Sequence, residues 1–419
     1  MTFREQFKIW QHTLNRYIVK SFPKIRTRIR KFSETECGKL FEVRKRLKLE
    51  LQESDNPKHK PRNSIAVRDS KGNLITSPEG ITKFCLDEVL TRLHHRKMHP
   101  DLLELQKLKE LLCKKRLELA RHKKSKHFTM KEMEKALSTL KPGRCRDAQG
   151  YTNEIFRYGG EDLKLSLLKM VNHTKHTLEI PDSMNIVNIA MIPKPGKHAS
   201  TLISNQCGIF IISKLRSILM TILLKYEYEM IDNYMSDSNV GGRRGRRIQD
   251  HLFIINGINF EHAMSKKNNP ITIGIYDYRQ CFDSMWQEEV VNDLFEAGIQ
   301  EVKLVLLFEI TKNNKVAVNT PDGLSERKNV EKIICQGDQW GSLECALQVD
   351  TIGKDSLKAE LEPYKYKNKV EIPALGVVDD LLTVCESGYK AARMNSLINA
   401  KTAIKKLQFG PQKCHVLHV

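Results

Sequence analysis

Apolar and polar positions alternate with different periods along the chain, and each change of period marks an element. Leu40, Val43, Leu47 and Leu51 recur at steps of three and four, which predicts an amphipathic helix. Asp55-Asn-Pro-Lys-His-Lys-Pro-Arg62 sets prolines among polar residues and reads as a linker. The stretch from Ile65 to Thr76 predicts a hairpin around Gly72, Pro78 to Arg92 a helix, and the leucines from Leu102 to Leu119 a second helix. Thr129 followed three residues later by Glu132 is a capping box, opening a helix through Leu140 that Pro142-Gly143 ends. Helical patterns return over 161–178, 213–234 and 248–258. The period then becomes that of strands. An apolar run from Ile271 to Tyr276 ends at Asp277, and two further runs, 375–378 and 381–384, flank Asp379-Asp380 in the manner of a tight hairpin. No internal repeats appear.

Composition narrows the class. At 419 residues and 40% hydrophobic content the chain can bury a sizeable core and hold two or three units. A net charge of +20 points to a polyanionic partner, because neutralising phosphates releases counter-ions. Between Lys20 and Lys48 there are eleven Lys or Arg against three Glu, so the predicted N-terminal helix carries its positive charge outward, as a nucleic-acid-facing connector, a solvated one or a nuclear signal would. The basic helices have no Trp- or Phe-rich opposite face, which disfavours a membrane surface. The longest apolar candidate, Cys207 to Leu224, is interrupted by Lys214 and Arg216, so no membrane span is expected, and Met1-Thr-Phe-Arg lacks a secretory h-region. Ten scattered cysteines without Cys-x-x-Cys indicate neither a disulfide scaffold nor a zinc knuckle, and an intracellular setting, cytoplasm or nucleus, is expected. The groups His94-His95/His99 and His173/His176 read as surface histidines.

The candidate chemistry lies in the aspartates. Adjacent carboxylates at a buried turn repel each other and cost several kcal/mol to desolvate unless a cation compensates. Hard oxygen ligands favour magnesium, and two such ions can clamp the attacking and leaving oxygens of a phosphoryl transfer. Taken alone, Asp379-Asp380 reads first as an ordinary solvated hairpin turn.

Several stretches in order carry a family resemblance: Phe128-Thr-Met-Lys-Glu-Met with Leu140-Lys-Pro-Gly-Arg-Cys-Arg-Asp147; Met191-Ile-Pro-Lys194-Pro-Gly-Lys197; Ser238-Asn-Val-Gly-Gly-Arg-Arg-Gly-Arg-Arg247; Ile-Tyr-Asp277-Tyr-Arg-Gln-Cys-Phe282-Asp283; Gln336-Gly337-Asp338; Val378-Asp379-Asp380; and Phe409-Gly-Pro-Gln-Lys413. From about Phe128 onward the chain resembles the reverse transcriptase domain of non-LTR (LINE-type) retrotransposons. The resemblance implies an α+β right-hand polymerase: basic helical extension over 1–54, linker, hairpin and helices over 55–127, fingers over 128–270, and a palm with an antiparallel sheet over 271–419. A thumb would follow and is not expected in this chain. The implied activity is RNA-directed DNA polymerisation with two magnesium ions, dNTPs, an RNA template and a DNA primer.

By the same resemblance Asp277, Asp379 and Asp380 bind metal and are catalytic. Phe282 excludes a ribose 2′-hydroxyl, although by itself it reads as core packing. Gln336-Gly337 passes close to the incoming nucleotide, a task suited to a residue without Cβ, although alone the pair means a turn. Lys194 and Lys197, otherwise surface-loop lysines, hold triphosphate, and Lys413 stands near the leaving pyrophosphate. Arg243, Arg244, Arg246 and Arg247 contact phosphates of template or primer. The chain departs from the family at Cys207, where an arginine that holds triphosphate is usual, at Val377, where an aromatic is common, and at Gln339, where proline is usual. Cys207 favours an alternative, a catalytically inactive RNA-binding remnant, and the three retained aspartates oppose it. An RNA-dependent RNA polymerase would be expected to carry a smaller residue than Phe282.

Overall fold

Local chemistry sets the element ends in the computed structural model, which describes residues 12, 67–69, 72–93, 102–123, 125–193, 205–264, 271–320, 323–332, 337–358, 364–367, 369–372 and 374–419. The expected basic extension and linker therefore lie outside the described residues, His12 aside. The hairpin of β1 (Val67–Arg68) and β2 (Leu74–Ile75) precedes α1 (Pro78–Leu93), α2 (Leu103–Arg121), α3 (Met130–Thr139), α4 (Asn153–Arg157) and α5 (Glu161–Thr177). Next come β3 (Ile186–Pro193), β4 (Gln206–Ile212), α6 (Lys214–Tyr234), α7 (Ile248–Met264) and β5 (Thr272–Asp277). After α8 (Cys281–Ser284), α9 (Gln287–Glu296) and α10 (Val302–Thr311) the chain forms β6 (Lys312–Thr320), β7 (Gly323–Leu324) and β8 (Lys328–Lys332). It ends with α11 (Gly341–Lys358), β9 (Tyr364–Tyr366), β10 (Val370–Ile372), β11 (Ala374–Val377), β12 (Asp380–Cys385), α12 (Gly388–Ile404) and β13 (His415–His418).

The capping box forms as the sequence predicts: the backbone N–H and the Oγ1 of Thr129 both donate to the Glu132 carboxylate at 2.8 Å, fixing the start of α3. The start of α6 is fixed from a distance. Asp147 accepts a hydrogen bond from the Lys214 N–H at 2.8 Å, so the loop after α3 is tied to the first turn of the longest helix among the described residues.

The protein is a mixed α+β structure. A four-stranded antiparallel sheet has the order β11-β12-β5-β13. A five-stranded sheet runs β4-β3-β6-β7 with β8 also on β6, and its β3–β6 pair is parallel while the rest are antiparallel. Strands on either side of residue 270 thus share one sheet, and the expected division there does not separate the sheets. The reason is that β3 has an unpaired edge once β4 has folded back on it, and β6 supplies the missing ladder.

Three apolar clusters hold these layers. The largest joins α3, α5, α6 and α9 to α12 with one face of the four-stranded sheet through Tyr276, Leu381 and Cys385. A second seats α1 on the five-stranded sheet through Ile81, Leu86, Val187, Ile189 and Val318. A third packs Ile258 of α7 and the β9–β10 hairpin on the opposite face of the four-stranded sheet, at Leu375 and Val384. Strand β5 is covered on both faces, which explains why its sequence is an apolar run rather than an alternation. Helix α7 continues to Met264, past the expected stop at 258, with Phe253, Phe260 and Met264 exposed. Among the described residues no helix is long and apolar enough to cross a membrane, and the described cysteines are free thiols.

Candidate active site

Strand β5 ends at Asp277, and the antiparallel register of β12 sets Asp380 directly opposite it. Directly opposed residues of this kind have Cβ atoms about 4.5–5.5 Å apart, so the two carboxylates are neighbours by construction. The hairpin between β11 and β12 is tight, as expected, but turns one residue earlier than the Asp379-Asp380 pair: Val377 pairs with Asp380, leaving Val378 and Asp379 as its turn. Val378 adopts φ +57, a left-handed conformation costly for a β-branched residue.

The segment 238–241 holds that turn. The Gly376 N–H donates to Ser238 O at 2.7 Å, the Val240 N–H to Gly376 O at 2.9 Å, and Asn239 Nδ2 to Ala346 O at 3.1 Å. Asn239 Oδ1 in turn accepts from the Gly241 N–H at 3.0 Å. Gly241 packs so closely on the turn that a Cβ there would stand 2.0 Å from Val378 N. Asn239 lies in the Ser238–Arg247 stretch, in which the sequence marked the arginines and gave this amide no role.

Lys413 joins the site from the other side. Its Nζ donates to Oδ1 and Oδ2 of Asp277 at 3.0 and 2.9 Å. The 408–413 segment is aligned on the end of β5 by Arg279 N–H to Gln408 O at 2.7 Å and Gly410 N–H to Asp277 O at 2.8 Å. Phe409 stacks against Tyr276 and Tyr278 with ring centroids 5.4 and 4.7 Å away.

Burial pushes the carboxyl of Asp379 above the usual carboxylate range, and repulsion from Asp380 and Asp277 adds to it. Asp380 is raised by burial and by Asp277, with Lys413 opposing. The ion pair with Asp277 raises the ammonium of Lys413, against the effect of its own burial. Three acids thus share one ammonium, an arrangement that a further cation would relieve. The donor set, all hard carboxylate oxygen, fits magnesium in charge and chemistry. Among the described residues, however, no three His, Cys, Asp or Glu side chains converge closely enough to enclose an ion, and Lys413 occupies both oxygens of Asp277.

Other expected site residues fall in varied places. Phe282 lies in the short helix α8, half-buried against the main core, one residue past a buried Cys281 whose Sγ is 3.5 Å from that of Cys345. Gly337 does make a close backbone approach, but to the carbonyl of Phe210 in β4, where a Cβ would stand 2.3 Å from the oxygen. The residues after it are anchored inward: Asp338 pairs with the fully buried Arg216 at 3.2 Å, Gln339 Nε2 donates to Ser217 Oγ at 2.6 Å, and Trp340 Nε1 to Met220 O at 2.9 Å. Cys207 is half-buried in β4 opposite Ile192. Lys194, Lys197 and Gln336 lie outside the described residues.

The arginine loop divides. Arg243, expected at phosphates, is corrected to a structural residue. It is buried, with Nε on Asp232 Oδ1 at 2.6 Å, Nη1 on the carbonyls of Ser236 and Asn239, and Nη2 on Asp232 O at 2.7 Å. Its fork satisfies a turn that would otherwise bury bare carbonyls. Arg246 is partly neutralised by Asp237 at 2.6 Å. Arg244 is exposed and stacks on Tyr228 at 4.3 Å, and Arg247 is exposed.

The chain matches no protein-family model.

Proposed function

We propose that the chain is the fingers and palm of an RNA-directed DNA polymerase of the non-LTR retrotransposon type, extending a DNA primer 3′-hydroxyl with dNTPs on an RNA template. The observation that carries this reading is the register pairing of Asp277 with Asp380, with Asp379 beside it in a strained turn. The four-stranded antiparallel sheet is read as the palm and the β3–β4 ribbon as part of the fingers.

In this reading Asp277, Asp379 and Asp380 would hold two magnesium ions once Lys413 gives up Asp277 and the carboxylates draw together, and the bound ions would supply charge for the attacking and leaving oxygens of nucleotidyl transfer. The Val378-Asp379 turn keeps the adjacent acids at the end of a sheet instead of letting them separate, so the charge is gathered before any substrate arrives. Lys413 balances Asp277 and in this reading would act on phosphate oxygens. The half-buried ring of Phe282 follows Asp277 through the Gln280 turn at φ +51 and would disfavour a 2′-hydroxyl. Lys194, Lys197, Gln336 and Gly337 complete the nucleotide contacts in the resemblance. A catalytically inactive RNA-binding remnant is the second reading, favoured by Cys207 in β4, a thiol where the family carries a cation.

The test is magnesium-dependent dNTP incorporation on a primed RNA template by the chain and its Asp379→Asn variant. Incorporation that the substitution abolishes supports the polymerase. No incorporation by either, with salt-sensitive RNA binding retained, supports the remnant.

A further inference from the structure

The loop between α3 and α4 is tied down along its backbone while its cations are left over. Leu140 O accepts from Arg157 Nη1 at 2.7 Å and Lys141 O from Asn153 Nδ2 at 2.8 Å. The Gly143 N–H donates to Glu154 Oε1 at 2.5 Å. Asp147 closes the loop, its carboxylate accepting from the N–H groups of Gln149, Tyr151 and Lys214 at 3.0, 2.9 and 2.8 Å. Between these anchors Lys141, Arg144 and Arg146 are exposed, and among the described residues none of them pairs with a carboxylate.

The arginine loop at 243–247 pairs half of its cations with carboxylates of the chain itself, Arg243 with Asp232 and Arg246 with the exposed Asp237. The 141–146 loop spends none. Three like charges held on an ordered backbone repel one another and gain nothing from the fold, so their compensation has to come from outside. A deep pocket for a small anion is excluded, because all three side chains are exposed. A lipid surface is disfavoured because Pro142 and Cys145 are the only non-polar side chains among these cations. An extended polyanion, whose binding releases counter-ions at each contact, fits the arrangement.

We propose that Lys141, Arg144 and Arg146 form a phosphate-binding loop for a nucleic-acid strand, separate from the aspartate site. The choice of RNA as that strand rests on the polymerase reading. The ordered backbone lowers the entropy spent on binding, and the loop's attachment to the first turn of α6 ties the strand's position to the helix against which Asp338 and Trp340 are anchored.

The experiment is the affinity of the full chain for a fluorescein-labelled single-stranded RNA, by anisotropy, from 50 to 300 mM KCl. Three proteins are compared: the unaltered chain, K141Q/R144Q/R146Q, and K83Q/K114Q/K135Q, which removes the same charge from exposed positions of α1, α2 and α3. The expected result is that the loop variant lowers the slope of log K against log salt by about 2, from about 0.7 per lost contact, while the control variant changes it by much less. Equal slopes for the two variants would overturn the proposal. So would tighter, loop-dependent binding of a poly-glutamate peptide with the RNA slope unchanged. Circular dichroism of both variants separates loss of contacts from loss of fold. Because the readout is binding and not dNTP incorporation, failure of the loop is distinguishable from failure of the polymerase reading.

Discussion

Gly241 and Val378 are packed backbone to backbone, so closely that a methyl group on Gly241 would lie 2.0 Å from the Val378 nitrogen. This contact couples a glycine-rich segment to the turn that presents Asp379, although well over a hundred residues separate them in the chain. Gly241→Ala must therefore move the turn or the loop. A loss of about 1–3 kcal/mol of stability is expected, as for other overpacked sites. The comparison is Gly245→Ala, where φ is +73 but the space is open, with an expected loss of about 1 kcal/mol. Chemical denaturation of the two variants checks the order.

Asp379 and Asp380 are both raised above the ordinary carboxylate value, so the folded state binds their protons more tightly than the unfolded chain does. Their contribution to stability is fully present below the unfolded value of 3.8 and is lost as the pH rises through the raised folded values. Without divalent ions, Asp379→Asn should melt at or above the temperature of the unaltered chain at pH 7.5, and the difference should shrink towards pH 4. Addition of magnesium should raise the melting temperature of the unaltered chain more than that of the variant.

Glu344 in α11 is buried beside the Arg216–Asp338 pair, and burial followed by repulsion from Asp338 pushes its carboxyl up to about 8. Its stabilising proton is held below the unfolded value of 4.5 and lost as the pH rises to about 8. Stability should decline across that interval and level off above it. Glu344→Gln, which keeps the neutral form at every pH, should flatten the decline in a urea titration repeated from pH 5 to 9.

Arg243 and Arg247 should separate stability from binding. Arg243→Lys removes a fork that serves Asp232 and the carbonyls of Ser236 and Asn239, and a loss of about 3 kcal/mol is expected for breaking a buried pair. Arg247→Gln removes an exposed cation and should change stability by less than about 0.5 kcal/mol while lowering the salt dependence of RNA binding. Melting and anisotropy measurements on both variants test the division.

Element identity was readable wherever one face or one end of an element has its own chemistry. The Thr129/Glu132 box and the tight hairpin at Asp379 follow from side chains within a few residues, so the chain order contains them, whereas the start of α6 is fixed by the distant Asp147. What the aspartates face was legible only in part. The apolar runs placed Asp277 and Asp380 at strand ends, but their being directly opposite depends on register, which arises when Tyr276, Leu381 and Cys385 reach the core together.

Arginines illustrate the limit most plainly. Arg243 and Arg247 are the same residue type in one short glycine-rich loop, yet one is buried under four hydrogen bonds and the other is exposed. Composition and local pattern determined the positive charge, the paired acids and the separate helical and strand-like stretches, because these depend on residue type and short spacing, while the α+β class was what the resemblance implied. The tertiary structure alone decided that β6 completes the sheet begun by β3, that Gly241 backs the Val378 turn, and which cations remain for a partner. Each of these depends on contacts between distant segments, whose geometry comes from packing many side chains at once and is written in no single stretch of the chain.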